Sequence, residues 1–301
     1  PRRYLQGIHP ERSEGPSKLG TVPISVIPTA PVSPAKKRDM AMNCAKGEIF
    51  AFIDDDAYPE RDWLKIAVNY FKDEEIAAIG GPAITPPQDN LWQWASGLVY
   101  ESFLVSDGFT YRYRPGRLRE VDDYPSCNFI IRRDIFEKLG GFKTNFWPGE
   151  DTFLCLEITQ KLQKKIIYAP DVLVYHHRRP LFLSHLRQVA KYALHRGYFA
   201  KRHPETSLKI AYFVPSIFLL FFLASGVLAF FFNLLRLPYL LAILIYLFLV
   251  LIFSIFNKLK NKPLINLALI PFVFSGIILT HFTYGFWFIK GIFSRRLREE
   301  E

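Results

Sequence analysis

Asp54, Asp55 and Asp56 stand side by side, and three adjacent carboxylates repel one another unless a cation or a positive partner offsets the cost. Oxygen donors of this kind suit Mg2+ or Mn2+, ions that commonly share their shell with substrate phosphates. A solvated acidic turn has the same composition, so the setting of the triplet decides between the two. Here it follows Ile49-Phe50-Ala51-Phe52-Ile53, an apolar run with the length of a buried strand. Polar residues just past the C-terminal end of such a strand lie where open α/β sheets bind ligands. The triplet is therefore a candidate metal site. Cys44, Cys127 and Cys155 are odd in number and lack metal-ligand spacing, which fits a reduced compartment.

Helix and strand alternate around the triplet. Ala35 to Ala45 reads as a helix ended by Gly47, Glu48 to Ile53 as a strand, Glu60 to Asp73 as a helix and Ile76 to Gly80 as a short strand. Pro82 to Tyr124 is less regular, with a helix over Leu91 to Phe103 and a basic loop at Tyr111 to Arg119, and long irregular segments are often functional. Beyond it come a short strand or loop at Ser126 to Arg132, a helix over Asp134 to Leu139 closed by Gly140-Gly141, a helix over Asp151 to Gln163, and strands at Ile166 to Ala169 and Val172 to Tyr175. This order argues an α/β domain over residues 21–180. Val22 to Pro28 has the β-branched content of one more strand, and residues 1–20, which show no periodicity, are expected to be a disordered or truncated end.

The long apolar runs all lie after residue 209. Segments 210–235, 237–256 and 264–289 each meet or exceed the ~20 residues that cross a hydrocarbon core as helix, and together they define a membrane domain over 210–290. Tyr284, Phe286, Trp287 and Phe288 near the end of the third suit an interfacial belt. The net charge of +10 is placed for a membrane, not for nucleic acid. Between His176 and Lys209 there are eight Lys or Arg against one acid, Glu205, and juxtamembrane cations are drawn to anionic cytoplasmic lipid. Residues 181–209, with Phe182, Leu186, Val189 and Ala193 on one face, therefore read as a basic amphipathic helix lying along the membrane surface. Lys258, Lys260 and Lys262 suit the cytoplasm, whereas the charged tail 291–301, with Arg295, Arg296 and Arg298, would fall outside if all three segments spanned. Either the third is re-entrant or the charge rule is broken.

Lys37-Arg38-Asp39 through Ala45-Lys46-Gly47-Glu48, then Phe52-Ile53-Asp54-Asp55-Asp56-Ala57-Tyr58-Pro59, resembles the stretch of family 2 glycosyltransferases that leads into their DxD motif. Ser126-Cys127-Asn128-Phe129-Ile130-Ile131-Arg132-Arg133 with Gly140-Gly141-Phe142 is similar to that family's sugar and acceptor pocket, and Gly149-Glu150-Asp151 to its acidic motif. The joint match covers about residues 35 to 180. It implies a GT-A α/β fold, a mixed sheet with helices on both faces, followed here by C-terminal transmembrane helices. It further implies Asp151 as catalytic base, Arg38, Asp54 and Asp55 at the donor, Ser126, Asn128 and Glu150 in the sugar or acceptor pocket, and Asp56 with His176 on the metal. Each has a plainer alternative. Glu150-Asp151 suits a helix N-terminus through the macrodipole, Asn128 can cap a turn, and lone histidines are often structural. Gln188-Val189-Ala190-Lys191-Tyr192 resembles the QxxRW motif of processive synthases, but Lys and Tyr in place of Arg and Trp lose bidentate binding and stacking. The family's first strand and turn, which grip the nucleotide base, have no match, so the resemblance implies a chain lacking its N-terminal nucleotide-binding strand.

The resulting expectation is a multi-pass transferase of the inner or plasma membrane with a cytoplasmic catalytic domain. It would use Mg2+ or Mn2+ and invert the anomeric carbon as it moves a sugar from a UDP- or other NDP-sugar to a cell-envelope, glycan or lipid-linked acceptor. Membrane lipids are expected partners and nucleic acid is not. Two other classes stay open: an inactive truncated transferase that binds partners at the membrane, and a processive polysaccharide synthase.

Overall fold

The computed structural model describes residues 25–261 and 267–298. In chain order the elements are α1 (Pro34–Met42), β1 (Ile49–Ile53), β2 (Ala57–Pro59), α2 (Trp63–Tyr70), β3 (Ile76–Gly80), β4 (Ala83–Ile84), α3 (Leu91–Glu101), α4 (Phe103–Ser106), β5 (Arg119–Val121), β6 (Asn128–Arg132), α5 (Arg133–Leu139), α6 (Glu150–Leu156), β7 (Lys165–Tyr168), β8 (Val174–His176), α7 (Leu183–Arg202), α8 (Pro204–Ser207), α9 (Ile210–Phe231), α10 (Asn233–Asn261) and α11 (Leu269–Phe293). A 3-10 turn covers Asp107–Arg112 and a π-helical turn Glu157–Lys161. The expected end 1–20 and the beginning of the expected strand at Val22 lie outside the described residues. Residues 25–28 carry no strand. The connector lysines also lie outside the described side chains.

The main sheet runs β1-β6-β3-β7-β5. Strand β6 is antiparallel to β1 and β3, β7 is parallel to β3, and β5 is antiparallel to β7, so the sheet is mixed. Alternation along β6 fills both faces. Phe129 and Ile131 join Phe136 of α5 and Leu154 of α6 on one side, while Ile130 joins Trp63 and Ala67 of α2 on the other. Each such buried Ile or Phe stabilises the fold by about 1.5–3 kcal/mol. A second sheet, β2-β8-β4, carries His176 at the C-terminal end of its central strand, β8.

Helix α1 starts where Ser33 accepts from the Lys36 amide with Pro34 at the first turn, a strong N-terminal signal. Helix α5 stops at Gly140, whose φ of 74° is the left-handed cap that glycine adopts without a Cβ clash.

Helices α9, α10 through Phe256, and α11 are long and apolar enough to cross a membrane. The third of these is one continuous helix of 25 residues, about 37 Å long, with no break of the kind a re-entrant segment needs. It is also the most enclosed of the three, because α7 packs along it. A Cβ on Gly197 would lie 2.0 Å from the Phe288 carbonyl oxygen, and one on Gly291 would lie 2.1 Å from that of Leu194, so the two backbones touch. The basic stretch expected as a helix at 181–209 is helix α7 over Leu183–Arg202, followed by the short α8. Helix α7 buries Val189 and Ala193 and also Tyr198 and Phe199, the last two against Phe146 and Phe153 of the α/β domain. Its apolar residues serve two partners, which a single helical stripe does not reveal.

Candidate active site

The acidic triplet is the hinge between the two sheets. Strand β1 ends at Ile53, Ala57 N–H donates to the Asp54 carbonyl at 3.1 Å to close the turn, and the chain enters β2. Because Ala57 registers with His176 across β2 and β8, the imidazole arrives beside Asp56, with Nε2 3.1 Å from Oδ1. One ligand atom from each of Asp54, Asp56 and His176 lies within 4.8 Å of the others, and all three residues are half-buried. Two carboxylates and an imidazole can hold a divalent cation, and the nitrogen donor suits Mn2+ better than Mg2+. Burial works to raise the Asp56 carboxyl, but the hydrogen bond and charge of His176, with Arg179, outweigh it and hold the group below its ordinary value. Asp55 is exposed and stands apart from this cluster.

Arg38, on α1, ties the turn to the start of α6. Its guanidinium donates to Asp54 Oδ1 at 2.8 Å and to Glu150 Oε1 at 3.0 Å, and it lies over the Phe142 ring. Next to Glu150, Asp151 accepts from the backbone amides of Ser126 at 3.2 Å and Thr152 at 2.8 Å. Burial pushes the Asp151 carboxyl up to about 7, helped by the negative charges of Glu150 and Asp123. A carboxylate poised there is suited to general-base chemistry. Burial also pushes the Cys127 thiol up to about 12, which leaves it protonated and without nucleophilic use at neutral pH.

Asn128 requires a correction. It is fully buried, accepts from Trp63 Nε1 at 2.9 Å and donates to the Gly81 and Val172 carbonyls at 2.7 and 2.8 Å. Its polar atoms hold the two sheets together beneath the site, and it does not line the cavity. Ser126 does line the cavity, but through its amide it positions Asp151.

Arg38, Asp54, Asp56, Ser126, Glu150, Asp151 and His176 all border one cavity of about 670 Å³. The same wall holds groups the sequence did not single out. Asp123 accepts from Arg196 at 2.8 Å, from Arg112 at 3.4 Å and from the Thr152 hydroxyl at 3.1 Å. Burial opposes its ionisation, yet Arg196 and Arg112 hold its carboxyl well below the usual range. Arg112 comes from the basic loop. Gln188, Lys191 and Tyr192 of α7, from the stretch already noted for its resemblance to the QxxRW motif, also face the cavity, and Lys191 Nζ sits 3.2 Å over the Trp147 ring centre. Their spacing was visible, but the partner surface was not.

Residues 22–140 match the family model described as Glycosyl transferase family 2. Residues 22–140 are thus similar to a family 2 glycosyltransferase domain. Over 174 residues it is 27% identical to a pre-mycofactocin glycosyltransferase of Mycobacterium tuberculosis, covering 57% of this chain and 36% of that one. Over 140 residues it is 26% identical to a glucosyl-dolichyl phosphate glucuronosyltransferase of Haloferax volcanii, covering 43% of each. The chain thus spans well under half the length of these relatives. The family 2 match ends at Gly140, so Asp151, His176 and the α7 wall lie beyond it and depend on the geometry above.

Proposed function

We propose that the protein transfers a sugar from a nucleotide-diphospho-sugar to a hydroxyl of a cell-envelope, glycan or lipid-linked acceptor at the cytoplasmic face of the inner or plasma membrane. The observation that carries this reading is a single cavity bordered both by the Asp54, Asp56 and His176 cluster and by Asp151 with its raised affinity for a proton. When bound by that cluster, Mg2+ or Mn2+ would offset the charge of the departing diphosphate. Arg38 holds Asp54 and Glu150 at fixed positions, so the donor and acceptor sides of the cavity stay in register. Asp151 takes the proton of the acceptor hydroxyl as its oxygen bonds to the anomeric carbon and the bond to the diphosphate breaks. One such displacement inverts the anomeric centre. Residues of α9 and α11 line the same cavity, which would hold a membrane acceptor at high effective concentration.

Calorimetric titration of UDP and of GDP, with and without Mn2+, into the detergent-solubilised chain and its Asp56→Ala variant tests the donor half. Metal-dependent binding that disappears in the variant is expected. Binding that ignores both metal and variant would overturn the assignment of the cluster.

A further inference from the structure

Helices α9 and α10 form an antiparallel hairpin that turns at Phe232. Phe222 packs on Tyr239 and, farther from the turn, Phe218 packs on Tyr246. A third span standing upright beside such a hairpin would run parallel to one leg and antiparallel to the other. Helix α11 runs against both. Along α9 toward the turn, Phe213 meets Phe288 and Phe222 meets Phe282. Along α10 away from the turn, the Tyr246 hydroxyl lies 3.0 Å from His281, and Val250 shares one apolar cluster with Ile277, Val273 and Leu269. The residue numbers on α11 fall throughout, so this helix crosses the two legs as the bar of a letter A crosses its uprights.

The ends of α11 agree with that placement. At its start Leu269 joins Ala95 and Leu98 of α3, and just past its end Leu297 is buried with Tyr198 and Phe199 of α7. Leu269 and Gly291 are about 33 Å apart along the helix, more than the ~30 Å of a hydrocarbon core, yet elements that pack on the α/β domain hold both ends. The depth is consistent as well. The middle of α11 meets the hairpin at Phe218 and Tyr246, each 14 positions from Phe232 and so about 21 Å from the turn. About 9 Å of a 30 Å core is then left on the domain's side, the depth at which in-plane helices sit.

The polar groups at the middle of α11 face the domain. Thr280 Oγ1 lies 3.0 Å from His185 of α7, and His281 Nε2 lies 2.8 Å from the Leu104 carbonyl of α4. Leu279, Phe286 and Phe293, seven positions apart, instead form an exposed apolar stripe. This stripe continues the apolar surface of the hairpin, so its complement is the acyl chains around that hairpin. Two spans also return the chain to its starting side, which removes the conflict between Arg295, Arg296 and Arg298 and the positive-inside rule.

We propose that α11 is not a third span: it lies in the plane of the leaflet next to the α/β domain, its Leu279, Phe286 and Phe293 stripe against acyl chains and its basic tail on the domain's side. The proposal rests on the transferase reading only in calling that side cytoplasmic.

The test uses the full chain in sealed inverted membrane vesicles and a membrane-impermeant maleimide. The exposed native Cys44 reports the α/β domain. Arg298→Cys and Phe232→Cys, each with Cys44→Ser, report the tail and the turn of the hairpin. Cys44 and Arg298→Cys are expected to be labelled and Phe232→Cys protected. Protection of Arg298→Cys together with Phe232→Cys would overturn the proposal. Cys44 and Arg298→Cys both protected while Phe232→Cys is labelled would support the in-plane helix and overturn the cytoplasmic assignment instead. Nitroxide labels on Leu279→Cys, Phe286→Cys and Phe293→Cys, with the Cys44→Ser parent subtracted, then read depth from collisions with oxygen and a nickel chelate. One common depth is expected, and a gradient of about 20 Å along the three positions would show an upright helix and overturn the proposal.

Discussion

Arg38 and Glu150 lie 112 residues apart in the chain and 3.0 Å apart in the fold, and the same guanidinium reaches Asp54 at 2.8 Å. Glu150 is 5% exposed, so removing its partner strands a buried charge. Arg38→Met should lower the stability of the α/β domain by about 3 kcal/mol and weaken nucleotide binding. Thermal unfolding in detergent checks the first effect, and a melting temperature equal to the native one would show that the bridge contributes nothing.

The raised Asp151 carboxyl gives transfer a pH dependence of definite sign. A base acts when deprotonated, so the rate should climb through about pH 7 and level off above it. Stability runs the other way. The native state holds this proton more tightly than the unfolded chain, so the contribution is lost as pH rises from the ordinary carboxyl range to about 7. Asp151→Asn should therefore abolish transfer yet raise the melting temperature, by more at pH 8 than at pH 5. An equal shift at both pH values would contradict the assignment.

Asp123 adds negative charge near Asp151 and is itself neutralised by Arg196 and Arg112. Asp123→Asn should shift the midpoint of the transfer rate to lower pH, because it removes a repulsion and frees Arg196 to stabilise the Asp151 carboxylate. A midpoint that stays in place would separate the two carboxylates.

His176 supplies the nitrogen donor of the Asp54, Asp56 and His176 cluster. In His176→Ala, Mn2+ affinity followed by electron paramagnetic resonance should fall by at least about tenfold, and Mn2+ should lose its advantage over Mg2+. Full Mn2+ affinity in the variant would remove His176 from the cluster.

Alanine normally stabilises a helix by about 1 kcal/mol relative to glycine. Gly291→Ala should do the opposite, since its Cβ would meet the Leu194 carbonyl oxygen at 2.1 Å. A loss of about 2 kcal/mol, seen as a lower melting temperature and faster proteolysis near α7, is expected. A stabilised protein would mean that α7 and α11 do not touch as described.

Much of this protein is legible in its sequence because the signals are local. The apolar runs ending at Ile53 and Ile131 need only period and length to be recognised as strands, and residues 210–235, 237–256 and 264–289 need only length and hydropathy to be recognised as candidate membrane spans. The acidic triplet draws attention by its own repulsion. Asp56 and His176, 120 positions apart by their numbering, were grouped by resemblance, and the register of β2 with β8 supplies the physical reason they meet.

Other features depend on surfaces brought together from distant parts of the chain, and no local pattern encodes them. Asn128 looks like a pocket residue beside Ser126, but closure of the two sheets over it engages both ends of its amide. The stripe on α7 gives the direction of one apolar face, while the glycine contact with α11 and the aromatic contact with Phe146 and Phe153 appear only when both partners are in place. Arg112, Asp123 and Arg196 carry no shared motif. The sequence by itself determined the α/β family, the acidic turn and the apolar helices, because these follow from short-range pattern. The tertiary structure alone decided which charges share one buried cavity, because burial and electrostatic pairing depend on neighbours that local sequence does not supply.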